Sequence, residues 1–162
     1  MTVSIFHVGL TVTDMDRAID LFRHCFDMEV VHSQVQDNAY SRRLVGESEA
    51  RFSITQMRFA GGPQPESGHV IELICYETPE LPKLTLRNPQ PGATHLAFLV
   101  PDIRPVYARV LERGGVPLSE PVAITEGVNS GGYACYLNVL DGIVIELLQR
   151  PATTTDRRST AA

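Results

Sequence analysis

The sequence predicts an α+β fold built from two tandem βαβββ modules, each a strand, a helix and three further strands. Two internal matches predict it. Residues 7–14 (HVGLTVTD) match residues 95–102 (HLAFLVPD), and the tetrapeptide Val-Ile-Glu-Leu occurs at both 70–73 and 144–147. An internal repeat constrains the architecture before any local pattern is considered. In this repeat, each module opens on a histidine and closes on a glutamate.

Composition sets the broad class. The chain has 162 residues, of which 43% are hydrophobic and 20% charged, as expected of a globular domain with a sizeable core. The formal net charge of -5 argues against binding to nucleic acid or to an anionic membrane.

The three cysteines show no CxxC spacing, so we expect buried thiols rather than disulfides or a zinc site. No apolar run approaches the roughly 20 residues that span a bilayer, and the N-terminus lacks a signal-peptide pattern, so a cytoplasmic location is expected.

In the first module, a helix is predicted after Asp14, because an aspartate at this position caps a helix and apolar residues follow at helical spacing. Runs rich in β-formers predict the three strands that follow, at 28–36, 52–60 and 69–76. The first module is longer than the second, and the extra residues are placed at 37–50.

In the second module, a helix is predicted after Asp102, with Pro105 in its first turn, where a missing amide hydrogen costs little. Gly114 and Gly115 provide its stop signal. Strands are predicted at 116–124, 133–139 and 143–149.

These elements predict one domain over residues 1–150, made of module one at 4–78 and module two at 92–150. The proline-rich stretch 79–91 is predicted as the linker. The segment 151–162 has no apolar periodicity and is predicted to be a disordered tail.

Two carboxylates stand in apolar strands where they are not expected. Glu72 and Glu146 each interrupt an apolar run, and no lysine or arginine stands in a comparable apolar strand position. An unpaired buried carboxylate costs several kcal/mol. His7 and His95 lie on the strand faces opposite the apolar residues. Two neutral imidazoles and two carboxylates balance one divalent cation, and this donor set suits Zn, Ni, Co, Mn or Fe(II). The sequence therefore predicts a metal site made by His7, Glu72, His95 and Glu146.

This pattern resembles the vicinal oxygen chelate superfamily. The points of resemblance are the paired modules, the histidine and glutamate of each, and a D-x-x-R-A helix start at Asp14, over residues 4–150. Its members include glyoxalases, methylmalonyl-CoA epimerase, cyclitol epimerases, extradiol ring-cleaving dioxygenases, and fosfomycin- and bleomycin-resistance proteins. The resemblance implies that the two modules form a curved mixed sheet around a cleft in which a metal ion holds adjacent substrate oxygens. It also implies a homodimer, with the site formed within one chain or across two.

The number of ligands distinguishes members of that superfamily. Extradiol dioxygenases and fosfomycin thiol transferases use two histidines and one glutamate, whereas a full His/Glu/His/Glu set is similar to bacterial glyoxalases and close to the epimerases. Bleomycin-binding members have generally lost these ligands. The resemblance therefore favours proton transfer, with Glu72 and Glu146 as catalytic residues that add or remove a proton on opposite faces of a carbon next to a carbonyl.

The choice of substrate rests on the expected lining of the cleft. Four arginines form the only local basic concentration and are expected on solvated faces: Arg42, Arg43, Arg51 and Arg58. Four polar residues are expected to hold substrate hydroxyls: Gln56, Tyr133, Tyr136 and Asn138. The segments 40–46 and 127–132 are expected to form flexible walls. This lining favours a metal-dependent epimerase or isomerase of a small hydroxylated ketone, sugar- or cyclitol-like. The alternatives are a glyoxalase-type lyase, an extradiol dioxygenase, and a non-catalytic metal- or drug-binding protein.

Overall fold

A computed structural model describes residues 5–61, 70–80, 82–83 and 86–152. The chain divides into two compact units, Met1–Leu84 and Thr85–Ala162, and the boundary falls inside the predicted linker. Residues 153–162 of the predicted disordered tail lie outside the described residues. The assignment of both modules to a single domain stays a prediction.

The described residues of unit 1 form four strands and two helices. In chain order they are β1 (Val8–Thr11), α1 (Met15–Phe26), β2 (Met28–Gln36), α2 (Ala39–Val45), β3 (Arg51–Phe59) and β4 (Val70–Thr78). The strands form one sheet in the order β1-β4-β3-β2. β1 runs parallel to β4, and the other neighbours are antiparallel, so β1 is an edge strand.

Unit 2 repeats this plan. Its elements are β5 (His95–Leu99), α3 (Ile103–Glu112), β6 (Val116–Pro117), β7 (Val122–Ala123), β8 (Tyr133–Asn138) and β9 (Val144–Gln149). The sheet order is β5-β9-β8-β6, with β7 also paired to β8. β5 is parallel to β9, as β1 is to β4, and the predicted α+β fold of two βαβββ modules is confirmed.

Each long helix begins at its predicted cap and packs through one apolar face. The Asp14 side chain accepts a hydrogen bond from the amide of Arg17, at 3.0 Å, and that of Asp102 accepts one from Arg104, at 3.1 Å. α1 buries Phe22 completely, and burial of a side chain of this size contributes about 1.5–3 kcal/mol. No helix within the described residues is long and apolar enough to cross a membrane.

The structure differs from the prediction in two segments. The stretch 116–124 is not one strand but the two short strands β6 and β7, because prolines at 117 and 121 cannot donate to a continuous ladder. Within the insert 37–50, the segment 40–46, expected as a flexible wall, lies almost entirely in the helix α2. Asn38 and Ser41 form a capping box at its start, and Gly46 ends it in a left-handed conformation, with φ 77°.

Burial follows the predicted faces only in part. Val12 is buried, but Phe6 and Val8 are exposed, since β1 has a neighbouring strand on one side only within its unit. Cys25 and Cys135 are buried, and Cys75 is half-buried, so the expectation of buried thiols is confirmed for two of the three cysteines.

Candidate functional site

The parallel pairing of β1 with β4 brings His7 to Glu72 in unit 1. Gly9 is the register partner of Glu72, and His7, two residues earlier, lies on the same face of the sheet because side chains alternate. The Nε2 atom of His7 is 3.5 Å from Oε1 of Glu72. The Glu72 side chain is only 13% exposed, so this carboxylate is largely shielded from solvent.

Gln56 completes the environment of Glu72. It is the antiparallel partner of Glu72 on β3, and its amide donates a hydrogen bond to Oε2 of that carboxylate, at 2.8 Å. The His7 ring lies beside the Phe6 ring, with centroids 5.3 Å apart. Nδ1 of His7 is buried and has no hydrogen-bond partner among the described residues, whereas Nε2 points to the carboxylate.

Unit 2 forms the second pair by the same register. Ala97 is the partner of Glu146, which places His95 on the Glu146 face, and Nε2 of His95 is 3.2 Å from Oε2 of Glu146. The Tyr136 hydroxyl donates to that same oxygen, at 3.1 Å. Burial and, after it, the Glu146 charge raise the pKa of Tyr136, which keeps the phenol protonated and able to donate.

The structure thus groups the four predicted ligands as two pairs, one in each unit. Across the described part of the chain, no group of three or more His, Cys, Asp or Glu side chains is arranged to hold a metal ion. The assignment of all four residues to one ion stays a prediction. Sequence reasoning selected Gln56 and Tyr136 only as general polar lining and missed their contacts with the carboxylates.

The other two polar candidates lie in different places. The expectation that Tyr133 lines the same face of the sheet as Tyr136 is wrong. Tyr133 lies three residues from Tyr136 on β8, and therefore on the opposite face. There the Arg104 guanidinium is 5.8 Å from the centroid of its ring. Asn138 shares the face of Glu146 and lines a cavity of about 240 Å³ in unit 2. Arg87 also lines this cavity.

A larger cavity, of about 360 Å³, lies in unit 1. Its lining residues come from the end of β1, from α2 and the turn after it, and from the end of β4 and beyond: Thr11, Val12, Thr13, Val45, Glu47, Tyr76, Pro79 and Glu80. Val45 and Tyr76 pack against an apolar cluster of Ala50, Phe52 and Ile54. Strand alternation puts Phe52, Ile54 and Tyr76 on the face of Glu72, so the insert covers one end of that face.

Three of the four arginines expected on solvated faces are paired with carboxylates. The ion pairs are Arg42 with Asp37, Arg51 with Asp37 and Glu77, and Arg58 with Glu29. Their charges are therefore balanced locally instead of forming a patch for an anionic ligand.

The donor atoms of each pair suit two kinds of chemistry. One imidazole nitrogen and one carboxylate oxygen are ligands that first-row divalent metals accept. A carboxylate fixed in a partly closed site can also take up or release a proton within hydrogen-bond reach. Both uses need the orientation that the cross-strand hydrogen bonds provide.

Comparison with known proteins agrees with this architecture. The chain is 30% identical over 154 residues to a 2-epi-5-epi-valiolone epimerase from Actinomyces sp., covering 93% of this chain and 81% of that one. A glyoxalase family protein from Bacillus cereus matches its fold with a TM-score of 0.79 at 22% identity, covering 94% and 97% of the two chains.

A fosfomycin resistance protein from Listeria monocytogenes, solved with Mn(II) and a dihydroxypropylphosphonic acid, matches with a TM-score of 0.59 at 16% identity, covering 100% of both chains. The family model that matches residues 4–147 is that of the glyoxalase/bleomycin resistance protein/dioxygenase superfamily. Since this match spans nearly the whole chain and both predicted modules, the chain belongs to that superfamily, as its repeated strands and paired histidines and glutamates led us to expect.

Proposed function

We propose that this protein is a metal-dependent epimerase that moves a proton at the carbon next to the carbonyl of a small hydroxylated, cyclitol-like ketone. The observation that carries the proposal is the His–Glu pair repeated at equivalent register positions in both units. The likeness to a 2-epi-5-epi-valiolone epimerase supports the choice of reaction and substrate class.

In this proposal His7, Glu72, His95 and Glu146 hold one divalent ion. The residues fit such an ion because they offer two nitrogen and two oxygen donors, and because two carboxylates balance its charge. The donor set is compatible with Zn, Ni, Co, Mn or Fe(II), and the Listeria structural relative contains Mn(II). When bound, the ion supplies electrostatic stabilisation to the negative charge that develops on a substrate oxygen.

The two glutamates carry the proton transfer. One carboxylate takes the proton from the carbon next to the carbonyl, and the electrons of the broken C–H bond move toward the carbonyl oxygen. The other glutamate, which carries a proton taken up from solvent, then returns that proton to the same carbon from the opposite face, so that the configuration is inverted. The first glutamate releases its proton to solvent, so that no atom is gained or lost. Gln56 and Tyr136 hold the two carboxylates through their hydrogen bonds.

The charges near the unit 1 site favour an uncharged polyol as the substrate. A glyoxalase-type lyase would instead act on a thioester with an anionic end. Arg42, Arg51 and Arg58 are paired with acids. Among the described residues, the lining of the unit 1 cavity includes two carboxylates, Glu47 and Glu80, and no cation. An anionic ligand would be repelled there, whereas hydroxyl groups can donate hydrogen bonds to carboxylates. This favours the epimerase over a glyoxalase-type lyase.

The test is incubation of the metal-loaded protein with 2-epi-5-epi-valiolone in heavy water, followed by NMR. We expect loss of the signal of the proton next to the carbonyl and appearance of the epimer. Elemental analysis of His7→Ala and Glu146→Gln should show reduced metal content, and Glu112→Gln, an exposed acid on α3, serves as the control. If the metal-loaded protein exchanges no such proton, the epimerase proposal is wrong, and oxygen consumption with a catechol would indicate a dioxygenase instead.

A further inference from the structure

The two glutamates are held by different side chains at the same place in the sheet. Gln56 and Tyr136 are the antiparallel neighbours of Glu72 and Glu146 in their respective units. Each donates a hydrogen bond to its glutamate, at 2.8 and 3.1 Å. The repeat therefore preserves a donor at this position while changing its chemical type from an amide to a phenol.

In unit 1 the two oxygens of Glu72 have separate neighbours. Oε2 accepts the hydrogen bond from Gln56, and Oε1 faces Nε2 of His7 at 3.5 Å. A hydrogen bond to one oxygen fixes the rotation of a carboxylate about its last bond. Gln56 therefore determines that Oε1 is the oxygen presented beside the histidine.

In unit 2 a single side chain contacts both members of the pair. The Tyr136 hydroxyl donates to Oε2 of Glu146, and its ring meets the His95 ring edge-on, with centroids 5.2 Å apart and planes at 85°. Edge-to-face contacts of this kind are favourable and directional. Tyr136 therefore orients the imidazole as well as the carboxylate.

We propose that Gln56 and Tyr136 are positioning residues for the metal ligands, with Gln56 holding only the glutamate of its pair and Tyr136 holding both the glutamate and the histidine. This inference rests on the proposed metal site. Residues that orient metal ligands through hydrogen bonds typically contribute about 10–100-fold in metal affinity or activity. The two positions should respond differently to substitution, because only Tyr136 has a second contact.

The experiment measures the affinity of the full-length apoprotein for Co(II), by competition with a chromophoric chelator and by the cobalt absorption spectrum. Gln56→Met and Tyr136→Phe each remove one hydrogen bond while keeping most of the side-chain volume. We expect each to weaken Co(II) binding by about 10–100-fold and to shift the cobalt spectrum. Tyr136→Leu also removes the ring beside His95 and should weaken binding further, whereas Gln56→Leu should equal Gln56→Met.

Two matched substitutions serve as controls. Gln34→Met changes a glutamine on β2 opposite Ile54, on the same sheet face as Gln56. Tyr133→Phe removes a phenol hydroxyl from the same strand as Tyr136 but on the opposite face. Both should bind Co(II) as the wild type does. If Tyr136→Leu fails to fold, as shown by circular dichroism, Tyr136→Phe and Gln56→Met still decide whether the hydrogen bonds orient the ligands.

The inference is overturned if the wild type binds Co(II) and Gln56→Met and Tyr136→Phe bind it as tightly as the controls. This outcome is independent of the epimerase proposal, which is judged by proton exchange in the substrate. A wild type that binds no Co(II) would overturn the metal site itself, and the positioning roles with it.

Discussion

The two units carry the same His–Glu pair but surround its carboxylate differently. In unit 1 each oxygen of Glu72 has its own neighbour, Gln56 on one side and His7 on the other. In unit 2 Oε2 of Glu146 faces both Tyr136 and His95. A repeat can thus conserve ligand types while changing how each carboxylate is held.

The units also differ in what covers their sheets. In unit 1, α2 and its apolar cluster lie over one end of the Glu72 face, whereas unit 2 has no helix between α3 and β8 but only the short strands β6 and β7. The shape of the substrate site is therefore expected to depend more on the insert than on the repeated scaffold.

The largest expected effect comes from substituting the two glutamates separately. When assayed at saturating metal, Glu72→Gln and Glu146→Gln should each lower turnover by roughly 10²–10⁴-fold, the range of general acid–base groups. Because the two carboxylates are held by different neighbours, the two substitutions should affect exchange of the substrate proton unequally. One of the two variants should retain some exchange while failing to invert the centre, because the base on one face survives. NMR of the substrate in heavy water measures exchange and inversion together.

Equal loss of exchange and inversion in both variants would mean that the difference in hydrogen bonding has no catalytic consequence. Epimerisation at the wild-type rate by both variants, with metal bound, would exclude the two glutamates as acid and base.

The repeat explains which part of this site could be predicted from sequence. His7 and Glu72, and their equivalents, were identified because a charged residue in an apolar strand is unusual and because the pattern occurs twice. Pairing β1 with β4 in register then brings the two side chains together without any further signal.

The roles of Gln56 and Tyr136 could not be predicted in the same way. Finding the residue opposite Glu72 requires the register of an antiparallel pair, and this depends on the length and geometry of the connection between the strands. The connections between β3 and β4 and between β8 and β9 differ in length, so the repeat does not reveal the equivalence of the two donors. The helix α2 does have a local signal, since Asn38 and Gly46 are common caps, although the segment between them is predicted above as a flexible wall.

A smaller effect compares the two equivalent helix caps. Asp14→Ala and Asp102→Ala each leave a first-turn amide without its acceptor, and loss of such a cap costs about 1 kcal/mol. Since the two caps have the same residue type and nearly equal distances, we expect similar decreases in the free energy of unfolding, measured by urea denaturation. Asp16→Ala, in the first turn of α1 but not at the cap, is the control. A loss confined to one variant would show that the two units contribute unequally to the stability of the chain.

The smallest expected effect tests whether unit 1 tolerates an alanine beside its His7–Glu72 pair, as unit 2 has beside its His95–Glu146 pair. Gly9 and Ala97 are the register partners of Glu72 and Glu146, and a Cβ atom added at Gly9 would meet Ile74 Cδ1 at 3.5 Å, an ordinary contact. Gly9→Ala should therefore stabilise the fold by about 0.4–1 kcal/mol, because it restricts the unfolded chain without strain in the folded one. Metal affinity should stay unchanged, since Ala97 occupies the same place beside the His95–Glu146 pair.

Gly132→Ala is the contrasting control, because its Cβ would lie 2.1 Å from the backbone oxygen of Gln149, and it should destabilise the protein. A loss of stability or of metal affinity in Gly9→Ala would show that the His7 pair needs more space than the His95 pair.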